Sequence, residues 1–259
     1  MQSARNAQRD SRVPKNTFET SRSDNNKIIG IVLARLDSKR LPQKALLSIG
    51  NHYLFEICIS RLARSTEFSS IVLATTTREV DDPLAIVAKE RNIPVFRGSA
   101  DNVASRCVEC ARYFGAHYFL RLNADSPFSD PSLIKIGVAI ARKNPDCDLV
   151  TNLIGRSFPY GISVEIVRSI SLENQLEKLS LEESEHVTQC FYRRSADFYI
   201  KSIVSGRPDL KQARMTVDDK KDLAMLRRAE QNFKGQLINL SHEEIAEFYI
   251  SHHHTNRNS

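Results

Sequence analysis

No apolar run in this 259-residue chain is long enough to cross a bilayer, and its first residues lack the apolar stretch of a secretory signal. Neither GxxxxGK[ST] nor GxGxxG occurs, which removes the two commonest glycine-rich phosphate loops. The five cysteines, Cys58, Cys107, Cys110, Cys147 and Cys190, are odd in number and scattered. That excludes a secreted disulfide framework and points to reduced thiols in a cytoplasmic setting. Cys107 and Cys110 form a CxxC, but zinc would want a second pair and the sequence has none. Within VASRCVECARYF they fall on one helical face beside other apolar residues and read as buried thiols. No internal repeat or low-complexity core segment is visible.

The formal charge of +6 invites a nucleic-acid reading. Residues 1–27 weaken it, because Arg5, Arg9, Arg12, Lys15, Arg22 and Lys27 stand there against Asp10, Glu19 and Asp24, which is half of the excess. This tail, rich in Ser, Asn and Arg, has too little apolar content to fold and is expected to be disordered. With no recognition motif behind the charge, neither a nucleic-acid partner nor a membrane span is expected. His252, His253 and His254 stand near the end, where residues 253–259 read as a frayed terminus.

The chain is most informative at residues 28–44, IIGIVLARLDSKRLPQK, where an apolar run breaks into a loop bearing Arg35, Lys39, Arg40 and Lys44. A continuous Ile/Val/Leu run is a strand buried on both faces, as in parallel sheets, whose ligands collect at strand carboxyl ends. Four cations at such an end suit a polyphosphate.

Beyond it, apolar runs alternate with helical patterns: a helix near 52–66, IVLATT at 71–76, a helix near 79–91, PVFRG, a helix near 101–114, HYFLRLN, a helix near 131–143 and CDLVTN. This βαβ alternation predicts a mostly parallel Rossmann-like α/β sheet with helices on both faces. From residue 156 the pattern changes. SVEIV and FYIKSIV read as strands separated by helices near 169–179 and 182–194, a smaller mixed α/β excursion packed against the sheet. MTV (215–217) reads as a short returning strand, followed by helices near 219–232 and 241–252. Asp218 and Asp219 can cap the first of these, and Ser241 with Glu244 three residues on can cap the second.

These residues carry a resemblance. Ala34, Arg35, Ser38, Arg40, Leu41, Pro42 and Lys44, as ARxxSxRLPxK, resemble the signature loop of the cytidylyltransferase family, in its spore-coat-polysaccharide branch, related to CMP-sialic acid and CMP-KDO synthetases. The likeness continues in order through FRGSADNVASR, RLNADSPFSDP, TN, PYGISVEI, SEHVT and MTVDDKKDL, spanning roughly residues 28–230. Gln43 stands where the family usually has Gly, and Ser184 where it often has Arg.

The resemblance implies one nucleotidyltransferase domain over 28–252, with 156–204 as acceptor-side segment and homodimer contact. The activity it implies is Mg²⁺-dependent transfer of CMP from CTP to a sugar or sugar acid, releasing pyrophosphate, for surface polysaccharide. Arg35, Lys44, Asp125 and Asp218 are the catalytic candidates. Asp125 follows the strand HYFLRLN and Asp218 follows MTV, so both carboxylates stand at strand ends, and oxygen donors suit Mg²⁺. Asp218 is equally a helix cap, Asp219 the purer one, and Asp130 the better cap for the helix near 131. The nucleotide side gathers Leu33, Ala34, Arg35, Ser38, Arg40, Lys44, Arg97, Gly98, Ser99, Asp101, Arg106 and Asn123. The acceptor side gathers Asn152, Tyr160, Gly161, Glu165, Glu185, His186 and Thr188. Glu165 lies in a strand and faces either a ligand or solvent; His186 is either a general base or a packing residue.

A glycosyltransferase on a similar nucleotide-binding fold is the alternative, and Asp146-Cys147-Asp148 has the Asp-x-Asp form that would hold its metal. That triplet precedes an apolar run instead of following a strand, so it is expected at the wrong sheet edge.

Overall fold

The computed structural model describes residues 27–255. The tail read as disordered lies outside them, Lys27 excepted, as do residues 256–259. The chain runs β1 (Ile28–Leu33), β2 (Ser48–Ile49), β3 (His52–Tyr53), α1 (Leu54–Ala63), β4 (Ser70–Thr76), α2 (Asp82–Glu90), β5 (Val95–Gly98), α3 (Val103–Tyr113) and β6 (Tyr118–Asn123). It continues through α4 (Pro131–Lys143), β7 (Leu149–Thr151), β8 (Glu165–Arg168), α5 (Ser169–Glu173), α6 (Leu181–Glu185), α7 (Gln189–Arg193), β9 (Ile200–Ser202), α8 (Lys220–Asn232) and α9 (His242–Thr255).

Seven strands form one sheet in the order β5-β4-β1-β6-β8-β7-β9. Every neighbouring pair is parallel except the two that involve β8. All six residues of β1 are buried, which explains its unbroken apolar run. Ile28 and Val32 join a core with Leu120, Leu122 and Ile166 under α1, α4, α8 and α9. Ile29, Ile31 and Leu33 join another with Phe119 and Val167 under α3, α5 and α7. Each such side chain contributes roughly 1.5–3 kcal/mol by leaving water, so both faces must be covered. All five cysteines are buried free thiols. Burial pushes the Cys107 thiol up to about 11, which disfavours the reactive thiolate.

The structure departs from the expected excursion after residue 156. β8 and β9 are not a separate layer; they complete the main sheet, with β8 inserted antiparallel between β6 and β7. Pairing there satisfies the backbone of β6 on its far side, which a packed-on unit could not do. MTV is not a strand, because its residues bond to two different segments: Met215 N donates to Tyr160 O (2.7 Å) and Val217 N to Asp125 O (2.8 Å). A single bridge, Tyr160 to Arg214, is all the pairing formed there. The helix expected over 182–194 breaks at His186, whose φ of −102° and ψ of 71° end α6. The helix expected from residue 52 begins at Leu54, since a β2–β3 hairpin turning at Gly50 precedes it. α9 runs on to Thr255, into the first of the residues read as frayed.

The loop after β6 is tethered from below. Asp130 caps α4 by accepting from Ser132 N (2.8 Å), and its other oxygen accepts from His242 N (2.9 Å). Burial pushes the Asp130 carboxyl up, but hydrogen bonds from His242 and Ser132 outweigh it and hold the group well below the usual carboxylate range. The fully buried Arg61 donates to the carbonyls of Ser129 (2.8 Å), Leu237 (2.9 Å) and Leu240 (3.0 Å). Residues 124–130 are therefore fixed to the segment that leads into α9.

Candidate active site

β1 is where the strand order turns. From β1 the chain builds outward through β4 to β5, then returns to lay β6 on the other side of β1. Such a switch point opens a crevice at the strand carboxyl ends, and the loops after β1 and β6 meet in this one.

The loop after β1 is pinned at both ends. Leu36 N donates to Asp81 Oδ1 (2.7 Å), and Gln43 N donates to Leu36 O (3.0 Å). Leu36 and Leu41 are buried beneath it. Between these anchors Ser38, Lys39 and Arg40 stay on the surface. Gln43 has a φ of 54°, a left-handed conformation that disfavours a β-carbon, and it delivers Lys44 to the crevice. There the Lys44 ammonium lies 2.6 Å from Asp125 Oδ2, 3.5 Å from Asp218 Oδ1 and 3.4 Å from Val217 O. Arg40 reaches the same Asp218 oxygen (3.1 Å), and Arg214 holds its second oxygen (2.7 Å). The backbone bond from Val217 to Asp125 keeps the two carboxylate-bearing segments side by side. Asp219 is turned away as the cap of α8, accepting from Lys221 N and Asp222 N.

Arg35 belongs to a neighbouring group. Its guanidinium meets Asp37 (3.2 Å) and Glu185 (3.4 Å), while Arg78 also pairs with Asp37 (2.8 Å). The hydrogen bond from Arg78 holds the Asp37 carboxyl below its ordinary value. Leu33 and Ala34 contribute backbone at the switch point: Leu33 O accepts from Ala124 N (2.9 Å), and Ala34 N donates to Ala74 O (3.3 Å).

Other candidates shape walls. Arg97 donates to Thr76 O (2.8 Å) and Arg78 O (2.9 Å) and pairs with Asp82 (2.6 Å). Buried Arg106 donates to Ser99 O (2.8 Å), and a β-carbon on Gly98 would lie 2.9 Å from its side chain. Ser99 Oγ accepts from Asn102 N (3.1 Å), and Asp101 is exposed. Together they hold the loop after β5 against the end of β4.

The acceptor-side residues divide. Glu165 faces neither a ligand nor solvent, the two orientations expected of it. It is fully buried at the start of β8, on the sheet edge where β1 and β6 end, and binds Arg121 (2.7 Å), Thr188 Oγ1 (2.5 Å) and Tyr192 Oη (2.7 Å). Burial opposes the charge on Arg121, but Glu165 prevails and raises its pKa. Arg121 also donates to Asn123 (3.3 Å). Asn152 is buried too: its amide donates to Ile162 O (3.1 Å) and its carbonyl accepts from Val164 N (2.8 Å), which orders the segment ahead of β8 instead of meeting a solute. Gly161 has a φ of 100°, and a β-carbon there would sit 2.8 Å from the Met215 backbone. Glu185, His186 and Tyr160 remain on the surface.

Three contributors escape the sequence reading. Asp81 is buried and bonds Thr76 as well as Leu36; its signal was the Asp-Asp-Pro that follows IVLATTTREV. Arg78 is the second. Arg214 is the third: it pairs with Asp218 across a non-helical segment, a contact for which four-residue spacing gives no signal. Asp146 and Asp148 sit at the amino end of β7, the edge opposite the crevice, and Asp148 is engaged by Ser171 and Tyr199. A catalytic Asp-x-Asp is thereby removed.

The chain is similar to known proteins over most of its length. A family model described as cytidylyltransferase matches residues 29–252. An uncharacterised protein of Methanocaldococcus jannaschii is 30% identical over 227 residues, covering 86% of this chain and 90% of the relative. The spore coat polysaccharide biosynthesis protein SpsF of Bacillus subtilis is 28% identical over 85% of this chain and 92% of its own length. A cytidylyltransferase structure from Leptospira borgpetersenii superposes with a TM-score of 0.79 at 26% identity, over 85% of this chain and 92% of that one.

Proposed function

The chain belongs to the cytidylyltransferase family, and from that premise we propose that it transfers CMP from CTP to a sugar or sugar-acid hydroxyl for surface polysaccharide. In this reaction the hydroxyl oxygen bonds to the α-phosphorus and gives up its proton to water, the bond to the bridging oxygen breaks, and pyrophosphate leaves with the electron pair. Catalysis is then chiefly positioning and neutralisation of phosphate charge. The observation that carries the reading is the convergence of two carboxylates, Asp125 from the loop after β6 and Asp218 from the segment ahead of α8, on Lys44 of the cationic loop.

The same pair fits Mg²⁺. Both carboxylates already reach one cation, the Lys44 ammonium, and they are the oxygen donors that a hard divalent ion takes. When bound there, Mg²⁺ would neutralise and orient phosphate oxygens. Arg40, Lys44 and Arg35 act on the remaining phosphate charge, while Asp81 and the αL turn at Gln43 hold their loop in place. The reading extends to the cytoplasm as the working compartment. It extends also to a dimer contact through residues 156–204, where Leu181 and Val204 expose apolar surface. No helix among the described residues is long and apolar enough to cross a membrane.

Pyrophosphate release is the test, measured with CTP, UTP, ATP and GTP, with and without Mg²⁺, against neutral, carboxylated and phosphorylated sugars. CTP with Mg²⁺ is expected to dominate. A preference for another triphosphate, or full turnover in chelator, would overturn the assignment.

A further inference from the structure

Tyr160 is a half-exposed ring with two guanidinium groups over it, that of Arg156 at 4.8 Å and that of Arg214 at 4.9 Å from its centroid. The ring is rigidly mounted, since Tyr160 N donates to Ala213 O (3.0 Å) and its carbonyl accepts from Met215 N (2.7 Å). Glycines at 155 (φ 62°) and 161 (φ 100°) shape the chain on either side of it.

We propose that Arg156, Tyr160 and Arg214 form the seat for an oxyanion, a carboxylate or phosphate carried by the acceptor. The proposal rests on the nucleotidyltransferase reading above. Two like charges gathered on one ring repel each other, and among the described residues Arg156 forms no ion pair that would relieve this. Stacking on an aromatic face holds a guanidinium ready: the N–H fork of Arg156 is left for a planar or tetrahedral oxyanion, and Arg214 adds its charge while its Nη2 serves Asp218. The seat also adjoins the transfer centre, for Arg214 binds Asp218 at 2.7 Å. Arg40, Lys44 and Arg214 are matched there by Asp125, Asp218 and Asp222, so Arg156 is the cation of this neighbourhood that no carboxylate among the described residues neutralises. Asp222, 3.8 Å from Arg214, also accepts the Asp218 backbone N–H (2.8 Å). An acceptor anchored by its anion at this seat would present a hydroxyl toward the carboxylates. Arg214 has a competing explanation, that it merely orients Asp218. Arg156 touches no carboxylate of the centre and separates the two.

Calorimetry on the full chain with 3-deoxy-manno-octulosonate, mannose 6-phosphate and mannose, in the presence of CTP analogue and Mg²⁺, tests the seat. At least one anionic probe is expected to bind tenfold or more tightly than mannose. Arg156→Ala should weaken that probe by tenfold or more, Arg156→Lys should restore part of the loss, and nucleotide affinity should stay at the wild-type level. Which anion prevails distinguishes a carboxylate seat from a phosphate seat. Equal binding of mannose and both anions, or an Arg156→Ala variant with wild-type affinity for the preferred anion, would overturn the proposal. Failure of the chain to bind CTP analogue with Mg²⁺ would instead overturn the nucleotidyltransferase reading beneath it, and the probes titrated without nucleotide still score the seat on the same criteria.

Discussion

Two ionic clusters flank the end of β6, and they are built on opposite terms. Around Lys44 the charged side chains keep contact with water: Arg40 is 68% exposed, Asp125 21% and Asp218 13%. Around Glu165 the carboxylate is 0% exposed, and Arg121, Thr188 and Tyr192 occupy its oxygens. The open cluster shares its cations among carboxylates at a wet surface and can exchange partners with an incoming anion. In the sealed one, both oxygens of the buried Glu165 carboxylate are taken by partners within the chain, and Arg121 Nε is the donor left without one. A resemblance alone assigns both to a binding site, whereas burial and satisfied hydrogen bonds assign the second to support. It is a post that holds Thr188, and so the chain break after α6, beneath exposed Glu185 and His186.

Breaking the post should give the largest effect. Glu165→Ala leaves Arg121 buried without its counter-ion, and losses of that kind are roughly 3–5 kcal/mol. Denaturant unfolding would read it, and a loss below about 1 kcal/mol would show that the cluster is not a structural anchor. Replacing Glu165 and Arg121 together by apolar residues should recover much of the stability, because a buried pair gains little over good packing.

The open cluster should respond in rate instead. Asp125→Asn and Asp218→Asn should each lower turnover on the order of 10²–10³-fold, about 3–4 kcal/mol in the barrier, with little change in melting temperature. If both serve one ion, the double variant should be scarcely worse than either single one. Asp219→Asn is the control, since Asn also caps α8 and turnover should persist. Multiplicative losses in the double variant, or a damaged Asp219→Asn, would break the assignment.

A step smaller, Lys44→Ala and Arg35→Ala should weaken CTP–Mg²⁺ binding by roughly 1.5–3 kcal/mol each, the scale of a hydrogen bond to a charged oxygen. Lys44 should lie at the upper end. Arg35 must first leave Asp37 and Glu185, so its gain from phosphate is partly offset. Titration calorimetry decides it, and unchanged affinity in both variants would take the loop out of the site.

Much of the open cluster was legible in sequence, because its signals are local. The apolar run of β1 meets its cations within a few residues, and Asp125 and Asp218 each follow an apolar segment. The caps Asp130 and Asp219 likewise act on backbone two or three residues away. The sealed cluster was illegible for the converse reason. Nothing within Glu165–Arg168 says that this short strand inserts antiparallel beside β6, yet that insertion alone carries Glu165 to Arg121. MTV misled by composition: its apolar residues are buried as a strand's would be, but their hydrogen bonds go to separate segments. Arg156 and Arg214 share the Tyr160 ring only because the chain returns past it, an arrangement that no local spacing encodes.

The finest difference between the clusters is backbone strain. Gln43, Asn92 and Lys234 are the described non-glycine residues at positive φ, and of these only Gln43 lies in the crevice. A β-carbon in the left-handed region costs roughly 1–2 kcal/mol, and glycine removes that cost. Glycine also loosens the unfolded chain, which takes back about 0.4–1 kcal/mol. Gln43→Gly should therefore stabilise the protein by about 0.5–1 kcal/mol, a rise in melting temperature of roughly 1–4 °C for a domain of this size. The gain should come without loss of the Lys44 contacts, because Leu36 O still receives the N–H of residue 43 and Asp81 still holds Leu36. A fall in melting temperature would mean that the Gln43 side chain makes up for its strain, and the open cluster would then be as tightly built as the sealed one.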